Sequence, residues 1–514
     1  MLFRSLLTPR VHSIRYFCII KNTNMNIYNL VLNIGGVAAV LSLLIIFVLK
    51  LHKSYIVTYL QSFCGVLFVF SGWVKAIDPM GTAFKMEQYF GEFESAFSET
   101  WMSFISPLFP ALSSISIWFS VAMIVFEIVL GIALFIGYKP KLSAWLFFAL
   151  VLFFTILTGF TYLTGYVPGG VKFFDFGNWG AYKASNMKVT DCGCFGDFIK
   201  LEPKISFFKD IALLFPSVYF VLRHNQMHTF LNSSKSGLVV FGSTAVLIVY
   251  CLYNFIWNEP HIDFRPFKNG ANIAEIRAKE DQAQAQVKIT AFSIKDKTSG
   301  QVFEVAYNDY MNNAEKYADK NKYEVLEQIK TEPSIPRTKV SEFEITNFDG
   351  EDFTDKYLAN DKYHFMVISP KVKFSTASVK AMIQDSVFMM DSTDIQKPVR
   401  KFLKTINKEV SKTDFVWPSS FISDLKSMKP ILDNATAKGY EASVVIGGIS
   451  KEAAEDLAAE TGIKAEYLTA DDILLKTIIR SNPGLVLWKN GVILQKWHKR
   501  QLPGFAEIES SFIK

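Results

Sequence analysis

The chain has 514 residues, of which 50% are hydrophobic, 15% aromatic and 20% charged, and its mean hydropathy is +0.21. This composition excludes a disordered chain, and five cysteines are too few for a small disulfide-stapled fold. A formal charge of +6, thinly spread, does not suggest a nucleic-acid partner. The length suggests about three domains. Charged residues are sparse in 27–258 and dense beyond it, so a membrane half is expected to precede a soluble half.

Residues 1–24 carry Arg4, Arg10, Arg15 and Lys21 and no acid. They read as a cleaved targeting extension or as a segment ahead of a true start at Met25. The second is preferred because it removes a conflict with the charge rule below. Apolar runs long enough to cross a bilayer follow at 28–49, 55–74, 111–137, 142–163, 206–222 and 237–257. The run at 206–222 is the weakest, being short and containing Lys209, Asp210 and Pro216. The loops at 50–54, 138–141 and 223–236 hold six Lys/Arg and no acid, whereas the loop at 75–110 holds two Lys against five acids. Basic loops stay inside, so the termini, the loop at 164–206 and everything after 258 are expected outside.

Three features of the membrane half carry candidate chemistry. Gly65, Ser71 and Gly72 are small residues on a bulky span, expected to pack helices closely. Glu127 lies ten residues from Gly137, or about 15 Å deep. It is expected to find a partner inside the bundle, with Gln61 favoured over Lys75 as that partner. Glu127 reads either as a structural acid joining two helices or as a proton- or quinone-linked group. Cys192-Gly193-Cys194 in the outer loop is the sharpest signal. Gly193 permits the bend a disulfide between them would need, and such a bond would be strained and readily exchanged. A redox pair, a structural disulfide, and a transient metal or packing role stay open. A metal site is disfavoured, because no His or third Cys lies nearby. Cys64 and Cys251 are expected to be buried, unreactive thiols.

The segments Phe70-Ser71-Gly72-Trp-Val-Lys75-Ala-Ile-Asp78-Pro79, Glu127-x-x-x-Gly131, Thr158-Gly159-Phe160, Asp191-Cys-Gly-Cys-Phe-Gly-Asp197 and Phe208-Lys209-Asp210 resemble the DoxX/MauE family of bacterial redox-associated membrane proteins. The resemblance covers about 55–222. It implies a four-helix membrane core, Cys192 and Cys194 as a redox pair and Glu127 as the intramembrane acid. It also implies a bacterial inner-membrane setting, with a membrane quinone as possible acceptor. The helix at 27–50 and the last span at 237–257 lie outside that module.

In the soluble half, 259–344 reads as a small exit domain with an ordered start, a short helix or loose stretch at 272–288, a hairpin over 288–305 and a helix over 308–330. Residues 345–514 have an α/β rhythm: strands at 363–369 and 442–446, and helices at 394–412, 424–438, 450–461 and 471–480. An Asn490-Gly491 hairpin and a last helix at 503–513 complete it. This order resembles a thioredoxin-like domain, with Pro483 at the family's cis-proline position. The chain has no cysteine after Cys251, so this domain cannot exchange disulfides. It reads as a docking module whose groove is marked by Asn482 and Pro483, and His364 and His498 read as surface or strand residues. The expected whole is a multi-pass inner-membrane protein with a periplasmic soluble half. It takes part in thiol–disulfide or quinone-linked electron transfer with a periplasmic protein partner. The alternative is a non-enzymatic membrane-anchored assembly factor with a structural disulfide; a transporter is weakly supported.

Overall fold

The computed structural model describes residues 26–98, 100–391 and 399–513. The expectations for 1–24, and Cys18 within it, lie outside the described residues. The chain divides into two units, Met1–Ile256 with Pro260–Ile262, and Trp257–Glu259 with Asp263–Lys514.

The first unit is helical: α1 Ile27–Leu43, α2 Tyr55–Ile77, α3 Pro79–Phe97, α4 Leu108–Ser114, α5 Ser116–Ile136, α6 Pro140–Thr164, α7 Pro203–Arg223 and α8 Ser233–Ile256. Among the described residues, six helices are long and apolar enough to cross a membrane: Ile27–Val48, α2, α5, α6, Pro203–Gln226 and α8. The doubtful run at 206–222 is therefore part of a full-length helix. The stretch expected as a plain outer loop at 75–110 begins instead with α3. Its start is written in Asp78-Pro79: the Asp78 carboxylate accepts from Gly81 N at 3.0 Å, and proline occupies the first helical turn.

α2 and α5 pack antiparallel through the small residues. A Cβ on Gly65 would lie 2.9 Å from Phe135 Cβ, and one on Gly72 would lie 2.3 Å from Ile128 Cγ1. Gly131 is the least forgiving point, because its Cβ would meet backbone, Gly65 O and Val69 N, both at 2.9 Å. No side chain can move aside there. Gly131→Ala is expected to cost about 1–3 kcal/mol by overpacking. Thermal unfolding in detergent checks this, and an unchanged midpoint would show that the two helices are not held at this distance.

The second unit contains α9 Ile273–Ala285, β1 Ile289–Asp296, β2 Val302–Ala306, α10 Tyr307–Asn312, α11 Ala314–Tyr317, β3 Tyr323–Lys330, α12 Thr354–Leu358 and β4 His364–Ser369. There follow β5 Ser375–Asp391, β6 Val399–Val416, α13 Ser419–Ala437, β7 Glu441–Ile446, α14 Lys451–Thr461, β8 Glu466–Thr469, α15 Asp472–Ile478, β9 Gly484–Lys489, β10 Val492–His498 and α16 Phe505–Phe512. A five-stranded sheet runs β10-β9-β4-β7-β8. The pairs β4–β7 and β7–β8 are parallel, and β4–β9 and β9–β10 antiparallel. Successive β4 residues serve opposite faces, as strand geometry requires. Met366 and Ile368 pack with Phe343 and Trp488, while Phe365 and Val367 pack with Leu425 and Leu432. The β9–β10 turn has positive φ at both Asn490 (51°) and Gly491 (68°).

Two helix expectations fail here. The helix expected over 308–330 stops early. Asp319 turns the chain, its carboxylate accepting from Asn321 N at 3.0 Å, and Tyr323–Lys330 joins β1 in a separate sheet of order β2-β1-β3. The helix expected over 394–412 is strand from 399 onward, and 394–398 lie outside the described residues. Val399, Phe402, Leu403 and Ile406 do carry a helical period. Antiparallel pairing with β5 along its whole length overrides it.

Candidate functional site

The loop after α6 folds back over the helical bundle and is pinned by a buried Phe195 and by a bridge between Phe195 and Ile199. Gly193 has φ +62°, a conformation that L side chains rarely adopt, so the sequence can turn here between the two cysteines. Backbone groups fix both cysteines. Tyr89 Oη donates to Cys192 O at 3.4 Å, Cys192 N donates to Leu201 O at 3.4 Å, and Ser71 Oγ donates to Cys194 O at 2.9 Å. Lys85 pairs with Asp191 at 3.2 Å. Ser71, expected to serve packing alone, therefore also holds the thiol loop.

Both cysteines are free thiols. Cys192 is 7% exposed and Cys194 is half-buried. Burial pushes the Cys192 thiol up to about 12, helped by its neighbour Cys194. Burial also raises the Cys194 thiol, but there the Lys209 and Lys75 ammonium groups pull the other way. The two sulfurs thus sit in different fields. Cys64 and Cys251 are buried, as expected for packing thiols.

Beneath the loop is a cavity of about 90 Å³, lined among others by Cys192, Cys194, Lys75, Glu127, Lys209 and Asp210. Two buried ion pairs face it. Lys75, 7% exposed, pairs directly with Glu127, 3% exposed. Lys209 pairs directly with Asp210, which also accepts from Thr158 Oγ1 at 3.0 Å. This corrects the expectation that Gln61, and not Lys75, would reach Glu127. Gln61 Nε2 donates to Leu134 O (2.6 Å) and His228 O (3.1 Å), and its Oε1 accepts from His228 N (3.1 Å). The reason lies in helix register. Gly72 faces Ile128 and Ser120 Oγ donates to Pro79 O at 2.8 Å, so the C-terminal end of α2 lies beside the first third of α5 and Lys75 comes level with Glu127. Counting depth from the helix ends assumed that the ends were level. Lys209 and Asp210 were visible in the sequence, but only as a reason to doubt a span.

A membrane quinone suits the polar groups here, since Lys75, Lys209 and Thr158 could meet its carbonyls and Phe68 and Phe154 its ring. The space does not suit it. The cavity is smaller than the roughly 150 Å³ that admits benzene, so a quinone ring does not fit this conformation.

In the second unit, the peptide between Asn482 and Pro483 is cis. Ser369 Oγ, at the end of β4, donates to Asn482 Oδ1 at 2.7 Å, and Asn482 Nδ2 donates to Lys371 O at 2.5 Å. The segment is anchored from below by Glu259, which accepts from Ser481 N (2.8 Å) and Arg480 N (3.1 Å). Glu259 is in turn held by the buried Arg265 at 3.2 Å. His364 and His498 lie in strands as expected, but neither is at the surface, being 2% and 5% exposed.

The model of the family described as methylamine utilisation protein MauE matches residues 53–168, from the start of α2 to just past α6. The match ends short of Cys192 and Cys194. No curated protein and no solved structure matches the chain. The matched stretch and its apolar helices fit a MauE-like, multi-pass protein of a lipid bilayer.

Proposed function

We propose that this chain is a bacterial inner-membrane thiol–disulfide exchange protein. Its Cys192–Cys194 pair works on the periplasmic side, and its thioredoxin-like soluble unit docks the partner protein around Asn482 and Pro483. The observation that carries this reading is the placement of two free thiols, one residue apart, over a cavity lined by two ion pairs. In the exchange, one thiolate attacks a partner disulfide and forms a mixed disulfide, expelling a partner thiolate that takes up a proton. The second thiol of the pair, on losing its proton, attacks the first sulfur and expels the other partner thiolate. The pair is oxidised to a disulfide, the partner is reduced to a dithiol, and two electrons and two protons are transferred. Glu127 holds the Lys75 ammonium at the cavity edge in this scheme.

A second reading has its own support. Cys192 is nearly fully buried and its thiol is pushed up to about 12, which favours an unreactive sulfur. On that reading the chain is a membrane-anchored assembly factor, its soluble unit does the docking, and the cysteines serve structure. Trapping of intact cells with a membrane-impermeant maleimide, after equilibration in graded redox buffers, separates the two. The exchange reading expects labelling from outside and a midpoint between about −180 and −270 mV, the range of exchange proteins. A bond that stays closed below about −300 mV, or a pair labelled only after lysis, overturns it.

A further inference from the structure

The end of the first unit at which α2 and α6 begin and α7 ends holds an open cleft of about 820 Å³. It lies at the other end of these helices from the loop that carries Cys192 and Cys194. Lys53 lines it from the residues ahead of α2, and its Nζ donates to Asn225 O, beyond the end of α7, at 3.5 Å. Lys139 and Lys141 line it from either side of Pro140, where α6 starts. All three lysines are exposed, and none has a carboxylate partner among the described residues. The four helices that end here bring no acid near. Glu127 lies nine residues before Ile136 on α5 and Asp210 thirteen before Arg223 on α7, about 14 and 20 Å away along the axes, and α2 and α6 carry none. Three like charges around one cleft make a positive potential that an anion relieves. The first turn of α6 has no side-chain cap, so the N–H groups of Lys141 and Leu142 add two donors at the same rim.

We propose that this cleft binds the anionic phosphodiester headgroup of a bilayer phospholipid, with Lys53, Lys139 and Lys141 around the phosphate and the acyl chains running along Leu142 and Trp145. The apolar wall is what points to a lipid. Leu142 and Trp145 line the cleft next to the lysines, are 48% and 51% exposed, and lead from the rim into a helix long and apolar enough to span a membrane. A free phosphate would use the lysines and leave that wall bare. Tryptophan also favours the headgroup level of a bilayer, which sets the cleft at the depth where lipid phosphates lie. A basic cleft between helix ends at that depth suits a headgroup of net negative charge. A zwitterionic headgroup brings its own cation, which three uncompensated ammonium groups disfavour. The assignment stands apart from the exchange reading and does not depend on it.

The test is native mass spectrometry of the full chain in detergent with equal amounts of phosphatidylglycerol and phosphatidylcholine. The chain should retain phosphatidylglycerol about tenfold more, since each lysine near an anionic headgroup is worth roughly fivefold in binding. Lys53→Gln/Lys139→Asn/Lys141→Gln should abolish the preference. Asparagine is used at 139 because Lys139 has φ +40°, a conformation that asparagine tolerates. Lys172→Gln/Lys183→Gln/Lys204→Gln removes the same charge from exposed lysines at the other end of α6 and α7, and should leave the preference intact. Equal retention of the two lipids by the parent chain, or an equal loss in both triple variants, overturns the proposal and leaves the cleft lysines as determinants of orientation alone. Displacement of the lipid by inorganic phosphate or by glycerophosphate, which has no acyl chains, also overturns it and makes the cleft a site for a free anion. If the first triple variant fails to fold, Lys141→Gln alone decides the matter, with an expected fall in preference of about fivefold.

Discussion

Lys75→Met should destabilise the membrane unit by about 3–5 kcal/mol, the cost of leaving one member of a buried ion pair behind. Both partners are nearly inaccessible, at 7% and 3% exposure, and they pair directly. The reciprocal change, Glu127→Gln, should cost less. Lys75 is two residues from the C-terminal end of α2 at Ile77, and its long stem can carry a lone ammonium to the headgroup level. Glu127 is eleven residues inside α5, which begins at Ser116, and its short side chain has no such route. The double change Lys75→Met/Glu127→Leu should recover most of the loss, because two apolar groups of similar size replace the charges together. Chemical unfolding in detergent reads these values, and the single variant Glu127→Leu closes the double-mutant cycle. Additive losses of Lys75→Met and Glu127→Leu in the double variant would mean that the two groups do not act as a pair, and a larger loss in Glu127→Gln than in Lys75→Met would mean that the lone ammonium finds no route to the headgroups.

That pair shows how far the sequence could be read. Span positions followed from length and apolarity alone, and among the described residues six helices meet those criteria. The partners across the spans did not follow. Which residue meets Glu127 depends on the relative height of α2 and α5, and that height is set by close contact at Gly65, Gly72 and Gly131. Gly65 and Gly72 were legible as packing residues, but Gly131 in that role and the mates Phe135 and Ile128 were not. The same limit hid Lys209 and Asp210. Two charges in an apolar run argue against a span until a cavity is known to receive them, and a cavity is a property of several helices at once.

In the second unit the buried strands His364–Ser369, Glu441–Ile446 and Gly484–Lys489 were legible because each is a short apolar run bounded by turn residues. β8 was missed because four residues carry almost no pattern, and its place is fixed by pairing with β7 and by the bridge between Thr346 and Thr469. β3 and β6 were missed because their pairing is non-local and outweighs local period. The exit segment was expected to be ordered on the strength of its prolines and charges. The structure supplies the cause in the buried Arg265, which bonds Asp263 at 2.8 Å and Glu259 at 3.2 Å.

The second unit should lose about 5 kcal/mol of stability between pH 6.5 and pH 4.5, through two buried neutral imidazoles. His364 is 2% exposed, with Nε2 2.8 Å from Ser443 Oγ and the Tyr357 ring stacked on it at 4.5 Å. Burial pushes it down to about 3. His498 is 5% exposed and accepts from Arg500 N through Nδ1 at 3.2 Å, a bond that requires that nitrogen to be unprotonated. Burial pushes it down to about 4. In the unfolded chain both titrate near 6.5. Above that pH neither state takes up a proton and stability is at its plateau. Below it the unfolded state binds two protons that the folded state refuses, so each histidine costs about 1.4 kcal/mol per pH unit until its folded value is reached. Asp263 does not blur this window. Burial alone would raise its carboxyl, but the Arg265 and Lys496 cations hold it well below the usual carboxylate range, so its own contribution is lost only at far lower pH. Hydrogen exchange on the full chain, corrected for the intrinsic pH dependence, should show protection falling together in 364–369 and 492–498. His364→Phe should remove about half of the slope, because it deletes one of the two withheld protons and keeps a ring against Tyr357. Protection that stays level down to pH 4.5 would mean that these imidazoles take up protons in the folded state, and the buried neutral assignment would fall.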